Sequence, residues 1–384
     1  MNRRSFLKSA GAVTVVAMAG GVWQACGKGD AGPEGGVAFE PWRNWQGTPE
    51  EGPLALVRAG ILAASPLNTQ PWIFHVTEDR IDVFLDTARL LPATDPFQRQ
   101  AHMGLGCAVE NMVEAGSPNG YRVQVTLPAA GDAAAGADKQ APVARLDLER
   151  VRPGLPVFLH LVSKRHTNRG PYDPARAISE EFPLSMKLGM ETYPSMDLVY
   201  HLEPPARDRL GKGLLEVTEA LLSEDEVLQE MIRWSRRDPA AANKSRDGVM
   251  QGAAGGSGGD APEAVAEAAR RAAKEQISSA ACLGVLVSNN PYDRREAVAA
   301  GRLMQHFYLW STSFGIAMQP LCQPITFLDR ERARNDARPL PADLTSLLPP
   351  IGWQPMFAFR MGYALSPAGP SPRRGLEDVV KKGL

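Results

Sequence analysis

The chain has 384 residues, 42 basic against 43 acidic side chains, and 44% apolar residues. Balanced charge excludes a broad electrostatic footprint for nucleic acid. Four isolated cysteines without C-x-x-C spacing and six scattered histidines argue against a disulfide framework and against a metal centre.

Residues 1–26 place Arg3 and Arg4 ahead of Phe6 and Leu7 and then a short Gly- and Ala-rich apolar run. This reads as a twin-arginine export signal, too short to span a bilayer stably. The competing reading is an ordinary secretory signal with a chance arginine pair. Cys26, in "WQACG", stands where a lipoprotein would be cleaved, but Trp23 replaces the favoured Leu, so lipidation stays open. The expected location is the periplasm or the outer face of the cell membrane. The export machinery is then one partner, and the membrane is reached only through a lipid anchor.

Residues 27–45 are Gly-rich and polar and predict a tether. Leu54, Val57, Ile61 and Leu62 fall at helical spacing within 50–64. "WIFHV" and "RIDVFLD", separated by "TEDR", predict a hairpin. Asp95 and Pro96 open a helix over 95–116, and strands "YRVQVTL" and "ARLDLER" flank the loop 129–142. After Pro153 a second unit begins, with helices over 155–165, 204–223 and 224–236. Residues 238–262 lack either apolar period and predict a long loop or a lid. An Ala-rich helix from 262, the buried strand "CLGVLVSN" and a helix over 293–315 follow, the last with Tyr308 on its apolar stripe. "MQPLCQP" predicts an irregular turn, and "MFAFRMGYA" closes the order as a strand. Helices mixed with hairpin-like strands give an α+β sandwich rather than a doubly wound parallel sheet. Gly104 and Gly106 fall inside a helix, which excludes a dinucleotide-binding turn there.

Four clusters carry candidate chemistry. In "ASPLNTQPWIF", Ser65, Asn68 and Gln70 offer neutral donors and acceptors suited to sugar hydroxyls and a heterocycle edge. In "KRHTNRG", Arg165, Thr167 and Arg169 alternate, so an extended segment turns all three to one side, where they suit a phosphate. Pro320 and Pro324 bracket the third cluster, and adjacent Arg373 and Arg374 form the fourth. The bland alternatives are a capping turn for the first and solvated surface arginines for the second and fourth.

Together these segments resemble the FMN-dependent nitroreductase family. "ASPLNTQPWIF" is similar to its "PSxxNxQPW" segment, "RHTNR" to its arginine–hydroxyl–arginine phosphate segment, and "AAGRLMQHFYLWSTSFGIAMQPLCQP" to its central helix and turn. "FAFRMGYALSPAGPSPRRGLEDVV" resembles its last strand and phosphate-binding tail. The resemblance implies FMN, with Arg165, Thr167, Arg169, Arg373 and Arg374 on its phosphate. It places Ser65 and Asn68 on the flavin edge or ribityl chain, and backbone donors of Pro320–Leu321 near the reducible nitrogen. The motif order departs from ordinary members, because the Asn-Gln-Pro-Trp segment precedes the arginine segment. This looks like the single-chain, lid-bearing (Acg-like) branch: halves 46–153 and 154–384 fused as an internal pseudo-dimer, one FMN per chain, with 238–262 as the lid. The expected state is a monomer. The implied activity is hydride transfer from an unidentified donor through FMN to a nitroaromatic or quinone-type acceptor. The alternatives are an FMN-sequestering protein whose lid covers the flavin, and a relic fold without cofactor.

Overall fold

The computed structural model describes residues 35–128, 141–250, 261–335, 338–349 and 352–381. The chain divides into two units, Met1–Gly32 and Pro33–Leu384, and all described residues belong to the second. The export-signal reading of 1–26 lies outside the described residues.

In chain order the first elements are helix α1 (Glu40–Arg43), α2 (Leu54–Gly60), the hairpin β1 (Trp72–Val76) and β2 (Arg80–Leu85), and the long helix α3 (Arg99–Gly116). Strands β3 (Tyr121–Thr126) and β4 (Ala144–Arg150) follow, then α4 (Leu159–Val162), α5 (Glu181–Leu188) and β5 (Met196–His201). Helices α6 (Pro204–Leu222) and α7 (Asp225–Arg233) lead to the short β6 (Ser235–Arg236), α8 (Pro239–Ser245) and β7 (Val249–Met250). Helix α9 (Pro262–Ser278), β8 (Cys282–Ser288), α10 (Arg294–Ser313), β9 (Ala317–Leu321), α11 (Gln323–Arg334) and α12 (Ala342–Thr345) come next. The described chain closes with β10 (Gln354–Gly362), α13 (Leu376–Val379) and β11 (Val380–Lys381).

The result is a mixed α+β fold with two main sheets. The first runs β11-β1-β2-β4-β3 and the second β5-β8-β10-β9. Within β1-β2-β4-β3 and within β5-β8-β10-β9 every pairing is antiparallel, while β11 adds to β1 in parallel. Each sheet thus has one order and one set of directions, and in each a long helix joins the second strand to the next in sequence. The first sheet alternates: Trp72, Phe74, Ile81 and Val83 are fully buried while their neighbours are partly exposed. The second is covered on both faces. Leu286, Phe357 and Phe359 face the main core, whereas Val285, Val287 and Ala358 face Leu210, Leu214 and Val217 of α6. That is why β8 reads as an unbroken apolar run.

Helices α3 and α10 cross between the sheets with almost no separation. A Cβ at Gly106 would lie 2.1 Å from the Val298 carbonyl oxygen, and one at Gly301 2.0 Å from that of Met103. An offset of 195 residues takes Met103 to Val298 and Gly106 to Gly301, so each contact repeats the other with the helices exchanged. The same offset relates the Gln305–Asn111 hydrogen bond, 2.7 Å, to the Glu110–His306 contact, 3.7 Å.

Three expectations change. Residues 35–45 of the expected tether are packed, with Ala38, Phe39 and Trp42 buried, because apolar side chains interrupt the glycines. The helix expected over 155–165 is confined to Leu159–Val162, since Pro153 and Pro156 precede it and extended backbone follows. The turn expected at "MQPLCQP" is strand β9, paired with β10 through Pro320–Phe359 and Leu321–Ala358. Pro320 is tolerated there because β9 is an edge strand. The described part of 238–262 also has structure: Asp238 caps α8 through the Ala241 N–H, and β6 pairs with β7. Residues 251–260 lie outside the described residues.

Candidate functional site

Beyond α4 the chain is extended, so odd and even residues part. Arg165 and Thr167 turn to Tyr308 of α10: the Arg165 guanidinium lies 5.0 Å from the ring centroid, and Thr167 Oγ1 shares a 2.9 Å hydrogen bond with Tyr308 Oη. His166 turns the other way onto Trp42, centroids 4.6 Å apart, and Asn168 donates to the Ser366 carbonyl.

Arg165 is 2% exposed. Its Nη2 donates to the Leu62 carbonyl at 3.0 Å, while Nε and Nη1 have no partner. Arg373 is equally buried and reaches the same turn, donating to the carbonyls of Leu62 and Ala63 at 3.3 and 3.1 Å. It also donates to Asn68 Oδ1 at 2.6 Å, lies over Trp42 at 4.8 Å, and leaves Nε unpartnered. Arg169 is exposed; its carbonyl accepts from Gln276 Nε2 at 3.0 Å, its guanidinium meets no carboxylate among the described residues, and neighbouring protein lowers its pKa by desolvation.

Among the described residues none of these three guanidiniums meets a carboxylate. Desolvation first, and then Arg165 and Arg169, push Arg373 well below the usual arginine range. Desolvation together with Arg165 and Arg373 pushes His166 down to about 3, so it is neutral. Buried like charges without a counter-ion cost several kcal/mol each, on the order of the net stability of a domain. An anion with several oxygen acceptors is what relieves them, and Arg165 and Arg373 hold unpartnered N–H groups to donate to one.

The other expected residues have different partners. Ser65 Oγ accepts from the Gln70 N–H at 3.0 Å. Asn68 Nδ2 donates to the carbonyls of Gly248 and Pro372, both at 2.9 Å. Gln70 Nε2 donates to the Arg246 carbonyl at 2.9 Å, and its Oε1 accepts from the Arg374 N–H at 2.8 Å. Leu67, Asn68 and Gln70 hold φ of 44°, 56° and 52°, a left-handed conformation that costs about 1 kcal/mol or more for each such residue. The polar stretch is therefore a strained junction held by its own side chains. Arg374 does not join the cluster. It donates to Asp86 at 3.2 Å and to the Gln70 and Asp378 carbonyls, because adjacent residues on the extended tail point apart. Pro320 and Leu321 belong to β9, and Pro320 has no N–H to offer.

Sequence reading missed Trp42, His166 and Arg360. Arg360 is fully buried in β10 and donates to Gln319 Oε1 at 2.7 Å and to the Gly170 and Asn168 carbonyls at 2.7 and 3.2 Å. It pins the arginine segment from below. A lone Arg inside "MFAFRMGYA" was the available signal.

A mixed α+β fold holding a carboxylate-free cluster of buried arginines is what the chain itself defines. No family model and no curated protein matches the sequence. Among solved structures, the chain is similar to a nitroreductase with bound FMN from Bacteroides fragilis, with 15% identity, TM-score 0.32, and coverage of 57% of this chain and 94% of that one. It is also similar to the FMN-dependent nitroreductase NfnB of Mycobacterium smegmatis in complex with NADPH, with 20% identity, TM-score 0.37, and coverage of 58% and 97%. A third likeness is to the FMN- and NADPH-dependent nitroreductase NfnB of Sphigopyxis sp. strain HMH, with 13% identity, TM-score 0.39, and coverage of 59% and 98%. Likenesses this low in identity and score leave the choice of ligand to the chain's own residues.

Proposed function

We propose that the protein is an FMN-dependent, nitroreductase-like oxidoreductase whose cofactor phosphate is held by Arg165, Arg169 and Arg373. The observation that carries this reading is the two buried guanidiniums of Arg165 and Arg373 with unpartnered N–H groups, near the accessible Arg169, with no carboxylate on any of the three among the described residues. The motif resemblance names FMN among the phosphate ligands that would fit. When bound, FMN would supply hydride acceptance and donation, the acceptor being of the nitroaromatic or quinone class. The chain's own contribution is binding and electrostatics: Arg165 and Arg373 offer unpartnered donors, Thr167 and Tyr308 fix the wall beside them, and Trp42 with neutral His166 excludes water from the back.

The same reading makes the chain a fused pseudo-dimer of two halves with one cofactor. The shared sheet order and the 195-residue offset support the duplication. On one flank this pseudo-dimer places the neutral Asn111–Gln305 pair, and Asn111 donates to the Ala59 carbonyl, three residues before Leu62. On the other flank stands Glu110. Burial opposes its charge, but His306 and Arg302 outweigh burial and hold it down to about 2. An ionised carboxylate at that place repels a phosphate, which fits a single site. We read residues 1–26 as an export signal, giving a monomer acting outside the cytoplasm.

The test is the visible spectrum of the purified full chain, with chromatography of what heat releases. About one FMN per chain, bleached by NADPH or an artificial donor and reoxidised by a nitroaromatic, is expected for an enzyme. A colourless protein that takes up no added FMN would falsify the cofactor assignment. A flavoprotein that no donor bleaches would instead be a sequestering protein. That second reading is favoured by the docking of residues 246–248 onto Asn68 and Gln70.

A further inference from the structure

We propose that Asn68 is a positioning residue that couples the cationic cluster to the 234–250 segment, and not a contact to the flavin ring; this rests on the phosphate assignment above. Asn68 is buried, and both of its amide hydrogens are used, one on Gly248 of the segment and one on Pro372 of the tail. Its Oδ1 accepts from Arg373, and its own carbonyl accepts from the Gly248 N–H at 3.3 Å. A donor contact to the ring would have to break one of the two amide bonds. What Asn68 does in place is hold three chain segments at one point: the segment at Gly248, the tail at Pro372, and the guanidinium that grips Leu62 and Ala63. Its left-handed backbone is held by the same bonds.

Gln70 repeats the pattern one step away, tying Arg246 to the Arg374 N–H. Other anchors of the segment do not pass through Asn68: Asp247 pairs with Arg89, Asn243 Oδ1 accepts from the Ala38 N–H, and Arg246 pairs with Glu377. The segment therefore has an attachment that an anion at Arg373 reaches and others that it does not. An anion drawing on Arg373 orders Asn68, and an ordered Asn68 seats Gly248. By reciprocity, whatever factor the anion adds to seating of the segment, seating adds to the affinity for the anion.

The experiment uses the full chain, FMN, and riboflavin, which carries the same ring without phosphate. Trypsin cleavage after Arg236, Lys244 and Arg246 reports seating of the segment. In the wild type, FMN binds more tightly than riboflavin and slows cleavage at these bonds. In Asn68→Ala, FMN affinity falls about tenfold or more while riboflavin affinity changes by less than about twofold, and FMN no longer slows cleavage. Asn68→Ser adds no charge at Arg373 but is too short to reach Gly248 and Pro372. It gives the same pattern, and it decides the matter if circular dichroism shows Asn68→Ala unfolded.

Equal loss of both ligands in a folded variant would mean that Asn68 touches the ring, and the proposal falls. Unchanged protection by FMN in a variant that still binds it overturns the coupling. Equal affinity of the wild type for FMN and riboflavin removes the phosphate assignment itself, and the coupling with it. That outcome is read before any variant is made.

Discussion

Arg165, Arg169 and Arg373 are desolvated by the fold without being neutralised by it, and this sets what their removal does. Each charge-assisted contact to a phosphate is worth about 1.5–3 kcal/mol, so Arg165→Ala, Arg169→Ala or Arg373→Ala should weaken FMN binding about ten- to a hundredfold. Isothermal titration would show it. Arg374→Ala should have the smallest effect of the four, because its guanidinium is spent on Asp86, Gln70 and Asp378. The apo protein gains where the holo protein loses: removing one of three neighbouring cations that no carboxylate pairs relieves repulsion. Arg169→Ala should therefore melt no lower than the wild type when both lack flavin.

Asp95 gives a pH signature at the same scale. Its carboxylate caps α3 by accepting from the Gln100 and Ala101 N–H groups, and burial pushes its pKa from 3.8 to about 7 despite them. The unfolded chain releases that proton near 3.8, so between there and about 7 the folded state binds more protons and stability falls as pH rises. The loss is on the order of 4 kcal/mol across the window. In Asp95→Asn, urea midpoints measured from pH 4 to 8 should lose most of that slope.

At the level of elements, the α3–α10 crossing rests on two glycines. A methyl at Gly106 or Gly301 would collide with backbone carbonyls, which cannot swing aside as a side chain can. Each Ala substitution should cost about 1–3 kcal/mol or more by forcing the helices apart. Gly104→Ala, whose added methyl would meet Ser65 and Pro66 side-chain atoms at 3.2 and 3.3 Å, should be near neutral, helped by about 1 kcal/mol of helix propensity. Denaturant titration separates the three.

Most of this layer was legible in the sequence. The hairpin at 72–85, the capped central helices and the buried run of β8 follow from period and capping chemistry. What was not legible depended on partners distant in the chain. "MQPLCQP" reads as a turn because two prolines break any local pattern, and only pairing with β10 makes 317–321 a strand. Asn68 and Gln70 stand out in the sequence as polar side chains between two prolines, but their partners lie at 246–248 and 372–374, which no local rule reaches. The shared direction of Arg165 and Thr167, both turned to Tyr308, needed no distant partner and could be read from the alternation. The divergence of Arg373 from Arg374 follows from the same geometry.

For the whole molecule, the parallel pairing of β11 with β1 joins the end of the described chain to the sheet of its first half. Truncation after Gly375 should thus loosen that sheet as well as the tail, lowering the melting temperature of the apo protein and abolishing tight FMN retention together. If flavin retention survived that truncation, Arg373 would have to be held by the Leu62 turn and Asn68 alone.

The clasp between Ala38, Trp42 and residues 371–373 also constrains how the protein is made. A ribosome delivers the chain in order, and the cluster draws on residues 42, 62, 165 and 373, so no nascent chain short of Arg373 contains it. Nearly all the helices and both central strands of the second sheet are synthesised before the anion grip can exist. On the proposed function, flavin capture would be a late event, separated from folding of the core by the last stretch of translation, and a chain stalled upstream of residue 373 should hold flavin far more weakly.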